Sequence, residues 1–137
     1  MAKHPAPPAA VVERLRLVCL DLPEVVEEAA WTGTRWCIAR HNFAHVVMIA
    51  DGWPPAYAKA AGTPGPACVL TFRTPRPAVD IPRLARKPYF LPRWWPDIAG
   101  MTLDADTEWD DVEQLLLASY CTLAPKGLAR RVMAERG

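Results

Sequence analysis

From Pro8 onward, apolar side chains recur at helical spacing: Val11 or Val12, Leu15, Val18 or Cys19, and Leu22, with Glu13, Arg14 and Arg16 between them. Pro8 can open this helix, where its missing N–H leaves nothing unpaired, and Leu22-Pro23 ends it. Glu24 to Ala30 reads as a short acidic link. Trp31–Arg40 (WTGTRWCIAR) and Phe43–Ala50 (FAHVVMIA) are rich in β-branched and aromatic residues and read as two strands, with His41-Asn42 as the turn between them. Asp51 to Pro66 carries Pro54, Pro55, Pro64 and Pro66 and cannot be a central strand. It is expected to be a mobile surface loop outside the core, with at most one helical turn around Ala56 to Ala61. Cys68–Arg73 (CVLTFR) is a third strand. The next stretch is broken by Pro75, Pro77, Pro82, Pro88 and Pro92, which leaves room for a helical turn near Pro82 to Lys87. Ala99–Leu103 (AGMTL) is a last strand.

A second clear helix begins at Thr107. Thr107-Glu-Trp-Asp110 has capping-box spacing, and Val112, Leu116, Ser119 or Tyr120, and Leu123 form its inner stripe. Pro125 stops it and starts a basic helix to Glu135, with Leu128 and Val132 four residues apart. Helix, strands, then helices is an α+β order with an antiparallel sheet of about four to five strands, an N-terminal helix and two C-terminal helices. The 137 residues fit a single domain, 1–137, with 1–8 as a flexible N-terminal tail.

Composition agrees with a globular chain: 51% hydrophobic, 23% charged. No stretch approaches the roughly 18 apolar residues of a membrane helix, and MAKHPAPPAA has no apolar core of a secretory signal, so a soluble cytoplasmic protein with no membrane partner is expected. Cys19, Cys37, Cys68 and Cys121 lie in apolar runs with no C-x-x-C spacing, and all four are expected to be buried and reduced, as thiols are in a reducing compartment. Ser119 is the only serine and sits in a helical pattern, which argues against a serine hydrolase. His41 and His45 fall between strand-like runs with no carboxylate beside them, so no metal and no cofactor is expected. There is no glycine-rich phosphate loop. The best acid/base candidates, Glu27 or Glu28 with His45, are recommended by composition alone. No catalytic constellation is recognisable, and a non-enzymatic protein is expected.

The formal net charge of +1 conceals a segregation. Arg73, Arg76, Arg83, Arg86, Lys87 and Arg93 stand against Asp80. Lys126, Arg130, Arg131 and Arg136 stand against Glu135. Between them, Asp104, Asp106, Glu108, Asp110, Asp111 and Glu113 cluster where a helix macrodipole favours acid.

Leu22-Pro-Glu-Val-Val-Glu-Glu28 is followed by the strand pair with Trp31, Gly33, Arg35 to Arg40 and Phe43-Ala44. The chain closes with Leu103-Asp104, an acidic helix start, Leu115 to Ser119-Tyr120, Ala124-Pro125-Lys126 and Leu128. In this order the segments resemble the MmcQ/YjbR family from about Val12 to Val132. The resemblance implies a small, secretion-chaperone-like α+β fold, a double-wing DNA-binding motif and no established enzymatic activity. The Trp53 to Pro66 loop and the Tyr89 to Pro96 block depart from that pattern.

Two readings follow. In the first, DNA is the partner: Arg73, Arg76, Arg83, Arg86, Lys87, Arg93, Lys126, Arg130 and Arg131 meet phosphates as one positive surface, opposed to the acidic start of the Thr107 helix. Trp94, Trp95 or Tyr89 then stack on an exposed base. With one Asn and one Gln in the chain, such contacts would be mostly to the backbone. In the second, Trp53, Tyr89, Trp94 and Trp95 line a groove for a protein or a small apolar ligand.

Overall fold

A computed structural model of the chain describes residues 4–136. The architecture is α+β: one six-stranded antiparallel sheet with α-helices on both faces. In chain order the elements are α1 (Ala9–Cys19), β1 (Val26–Ala29), β2 (Thr34–Ile38), β3 (His41–Ile49), α2 (Pro55–Ala61) and β4 (Ala67–Arg73). Two 3-10 turns (Ala78–Asp80 and Pro82–Ala85) lead to β5 (Tyr89–Phe90), β6 (Ile98–Leu103), α3 (Trp109–Leu123) and α4 (Lys126–Arg136). The sheet order is β1-β2-β3-β4-β6-β5.

Alternation along the strands divides the interior. Trp36, Ile38, Ala44, Val46, Leu70, Phe72, Ala99 and Met101 face α1, α3 and α4 and make the main core with Leu15, Leu116 and Tyr120. Val47, Ile49 and Val69 face the other way and pack with Tyr57 of α2 into a second, smaller core. Gly100 of β6 lies on that second face directly beneath the Phe90 ring, which occupies the space a Cβ would need.

Several expectations are corrected. The acidic link contains a strand: β1 pairs with β2 in the register Glu27↔Trp36 and Glu28↔Arg35, because Glu27 and Glu28 find partners on opposite faces. With β5 this raises the sheet to six strands. The β2–β3 turn is Ala39-Arg40, both at positive φ, with His41 already paired to Ile38. Asn42 instead accepts a bond from the Ala44 amide through Oδ1. The capping box does not form: Glu108 is the N-cap, and the Thr107 hydroxyl accepts from the Asp104 amide at 2.7 Å. The Pro-rich loop is not outside the core, because α2 carries the buried Tyr57.

Of the expected tail, Met1 to Lys3 lie outside the described residues, while Pro7 is buried and His4 stacks on Trp53 with ring centroids 3.5 Å apart. Cys19, Cys37 and Cys68 are buried free thiols, but Cys121 is only partly buried. No helix among the described residues is long and apolar enough to cross a membrane.

The one serine closes the centre of the sheet. The β3–β4 ladder ends at Ala44↔Phe72, and the next positions, Phe43 and Arg73, are bridged by Ser119 of α3. Its hydroxyl donates to the Phe43 carbonyl at 2.6 Å and accepts from the Arg73 amide at 2.8 Å. Two backbone groups that would otherwise be orphaned are thereby paired.

Candidate functional site

On the α2 face, one row across the sheet runs Glu28, Arg35, His45, Thr71 and Gly100. Arg35 Nε donates to Glu28 at 2.6 Å. His45 is 5% exposed, and both ring nitrogens are engaged, Nε2 with the Thr32 carbonyl at 2.8 Å and Nδ1 with the Tyr57 hydroxyl at 3.2 Å. A carbonyl can only accept, so Nε2 carries the proton and Nδ1 accepts from Tyr57. Burial lowers the His45 pKa, aided by Arg35 and opposed by the bond to Thr32. Burial also pushes the Tyr57 phenol up to about 12.

Around this polar floor stand aromatic rings. Tyr57 meets Trp94 edge-on at 4.8 Å, Trp31 at 6.3 Å and His45 at 6.0 Å. Trp31 in turn meets Trp53 edge-on at 5.7 Å. Trp31 is 68% and Trp94 38% exposed, so Tyr57 is flanked by two indoles that remain open to water. Trp94 and Trp95 also line a small pocket of about 220 Å³ with Val79 and Leu91.

The structure therefore unites Trp53 with Trp94 through Trp31 and Tyr57, and places Trp95 on the adjoining pocket. Tyr89 does not join them. It faces the main core, opposite to Phe90, and lies under the Arg83 guanidinium at 5.7 Å. Trp31 and Tyr57 are the members the residue pattern did not single out. Their signals are present in retrospect: Trp31 immediately precedes the Thr32-Gly33 turn, and Tyr57 is the one large apolar anchor of an alanine-rich helix.

The nine cations do not act alike. Arg73 binds both Asp97 oxygens, at 2.8 and 3.0 Å. Arg131 lies 3.9 Å from Glu135. Burial raises the pKa of the Tyr89 phenol, with Arg83 opposing the shift and Asp111 adding to it. Arg76, Arg86, Lys87, Arg93, Lys126 and Arg130 are exposed and form no ion pair among the described residues.

The acid/base candidates do not converge. Glu27 faces the helices, where it accepts from Arg16 Nε (2.8 Å), Arg16 Nη2 (3.0 Å) and Trp36 Nε1 (2.9 Å). Glu28 is held by Arg35, which stands between it and His45 in the row. Among the described residues no three His, Cys, Asp or Glu side chains gather as a metal-ligand set. No protein-family model, curated protein or solved structure matches the chain.

Proposed function

We propose that the protein is a non-enzymatic binding module that holds a flat, largely apolar group against Trp31, Tyr57 and Trp94 on the α2 face of the sheet. The observation that carries this reading is the pair of exposed indoles flanking Tyr57. A hydrophobic ring bound there would remove both from water and gain aromatic contacts on two sides. The buried His45–Tyr57 pair fixes the central ring so that little ordering is left for binding to supply. The dye 8-anilinonaphthalene-1-sulfonate is a suitable probe. It is expected to bind saturably, and Trp31→Ala with Trp94→Ala to weaken it at least tenfold. Unchanged affinity in that double variant would remove the reading.

A second reading keeps DNA as the partner and the MmcQ/YjbR resemblance as its family. It is favoured by the run Arg93-Trp94-Trp95, an unpaired cation followed by two exposed indoles, with Arg76, Arg86 and Lys87 unpaired in the same segment. Cations beside stacking rings are the elements of single-strand binding. A labelled oligo(dT) should then bind at low salt, and Arg76→Ala, Arg86→Ala and Arg93→Ala should each flatten the salt slope by about 0.7. No binding at low salt would end this reading and leave the first intact.

A further inference from the structure

The helix layer, on the opposite side of the sheet from the aromatic face, carries an open groove of about 1130 Å³ between α1 and α3, bounded at one end by the last turn of α4. Its apolar lining includes Leu17, Val18, Leu117 and Met133, and two of these are unusually bare: Leu17 is 69% and Met133 51% exposed. Single exposed apolar residues are ordinary, whereas apolar side chains grouped in a groove with a polar rim are a feature of interaction sites.

Charge on the rim selects the occupant. The bases lining the groove are engaged: Arg14 lies over the Trp109 ring at 4.8 Å, and Arg136 donates to Asp21 at 2.9 Å. Glu13 accepts from Arg16 at 2.6 Å. Asp110 and Glu113, one helical turn apart on α3, remain exposed with no ion pair among the described residues. Asp110 and Glu113 outnumber the one guanidinium without a carboxylate partner, Arg14, so the rim is left net negative beside an apolar trough.

We propose that this groove receives a basic amphipathic helix of a partner protein, with its apolar stripe on Leu17, Leu117 and Met133 and its Lys or Arg side chains on Asp110 and Glu113. At 1.5 Å per residue the eleven residues of α1 span about 16 Å, which matches about three turns of an incoming helix. A second copy of this chain is a poor occupant. Its basic helix, α4, turns Leu128 and Val132 into its own core and leaves Met133 as its one exposed large apolar side chain, which already lines the groove.

The test uses two labelled amphipathic peptides of about 14 residues with the same leucine stripe, one with lysine and one with glutamate on the polar face, followed by fluorescence anisotropy. The lysine peptide is expected to bind at least tenfold tighter. Asp110→Asn with Glu113→Gln should weaken it about three- to tenfold, the scale of two exposed ion pairs. Leu17→Glu, at an exposed position that leaves the core intact, should reduce binding further without altering dye affinity at the aromatic face. Equal binding of both peptides, or binding lost in Trp31→Ala but kept in Leu17→Glu, overturns the proposal. So does concentration-dependent dimerisation of the protein that Leu17→Glu abolishes, since the groove would then belong to a second copy.

Discussion

The hydroxyl of Tyr57 lies 3.2 Å from Nδ1 of His45, and through this bond the short helix α2 is tied to the centre of the sheet. The bond requires a neutral imidazole, because a proton on Nδ1 removes the acceptor that Tyr57 uses. The pKa of His45 is held below its ordinary value of 6.5, so the unfolded chain takes up this proton more readily than the native one.

Stability should therefore fall as pH drops below about 6.5, and the fall should level off once the lower native pKa is passed, with a slope of at most about 1.4 kcal/mol per pH unit. Urea unfolding between pH 7.5 and 5 measures it, and His45→Gln should flatten that segment. Glu27 acts in a separate window. Its pKa is lowered chiefly by the Arg16 hydrogen bonds, so its contribution is complete above the ordinary value of 4.5 and is lost as pH falls through the native value. A slope between pH 6.5 and 5 that survives His45→Gln would show that another group is responsible.

Ser119→Ala should destabilise the fold by about 2 kcal/mol, although only a hydroxyl is removed. The Phe43 carbonyl and Arg73 amide would each lose a buried partner at the end of the β3–β4 ladder. Amide exchange at Arg73 should accelerate in the variant. A loss of a few tenths would indicate that water replaces the hydroxyl.

Glu27→Ala should cost about 1–3 kcal/mol, because it strands the indole N–H of Trp36, a fully buried ring. Glu27→Gln retains an acceptor for Trp36 and should cost less. Equal losses in chemical denaturation would assign the effect to the Arg16 ion pair instead.

The four thiols should divide three to one. Burial raises the pKa of Cys19, and that of Cys68 to about 12, while Cys121 is the one left partly open. Ellman's reagent should reach Cys121 first in the native protein and the other three only on unfolding. Any fast thiol in Cys121→Ala would contradict this division.

Shortening the Pro55 to Gly65 segment to a two-residue turn should cost more than about 3 kcal/mol, since it removes the buried Tyr57 and uncovers Val47, Ile49 and Val69. Milder destabilisation would mean that the second core closes without α2.

The outline of the fold was legible where one residue pattern met one environment. The α1 stripe of Leu15 and Cys19, the β3 and β4 runs and the α3 stripe of Val112, Leu116 and Tyr120 each face a core set by their own spacing. β1 was not legible, because Val26-Glu-Glu-Ala has no apolar alternation, and its carboxylates are satisfied by Arg16, Trp36 and Arg35 from elsewhere in the chain. The two residues of β5 are too few to show any period. Proline content made Asp51 to Pro66 read as loop, but prolines at a helix start are compatible with α2.

The candidate site divides in the same way. Trp53 and Trp94, forty-one residues apart in the chain, were visible as aromatic anchors in irregular segments. That they meet through Tyr57 and Trp31, and that Tyr89 turns away, depends on which face of the sheet each segment reaches, and one residue of register reverses a face. The sequence by itself determined the α+β class, the helix stripes, the central strands and the segregation of charge, because these follow from local periodicity and residue type. Only the tertiary structure decided the second core beneath α2, the pairing of His45 with Tyr57, the bridge made by Ser119 and which cations remain unpaired. Each of these requires groups distant in the chain to come within about 3–7 Å of one another, and that proximity is set by strand pairing and packing rather than by any local pattern.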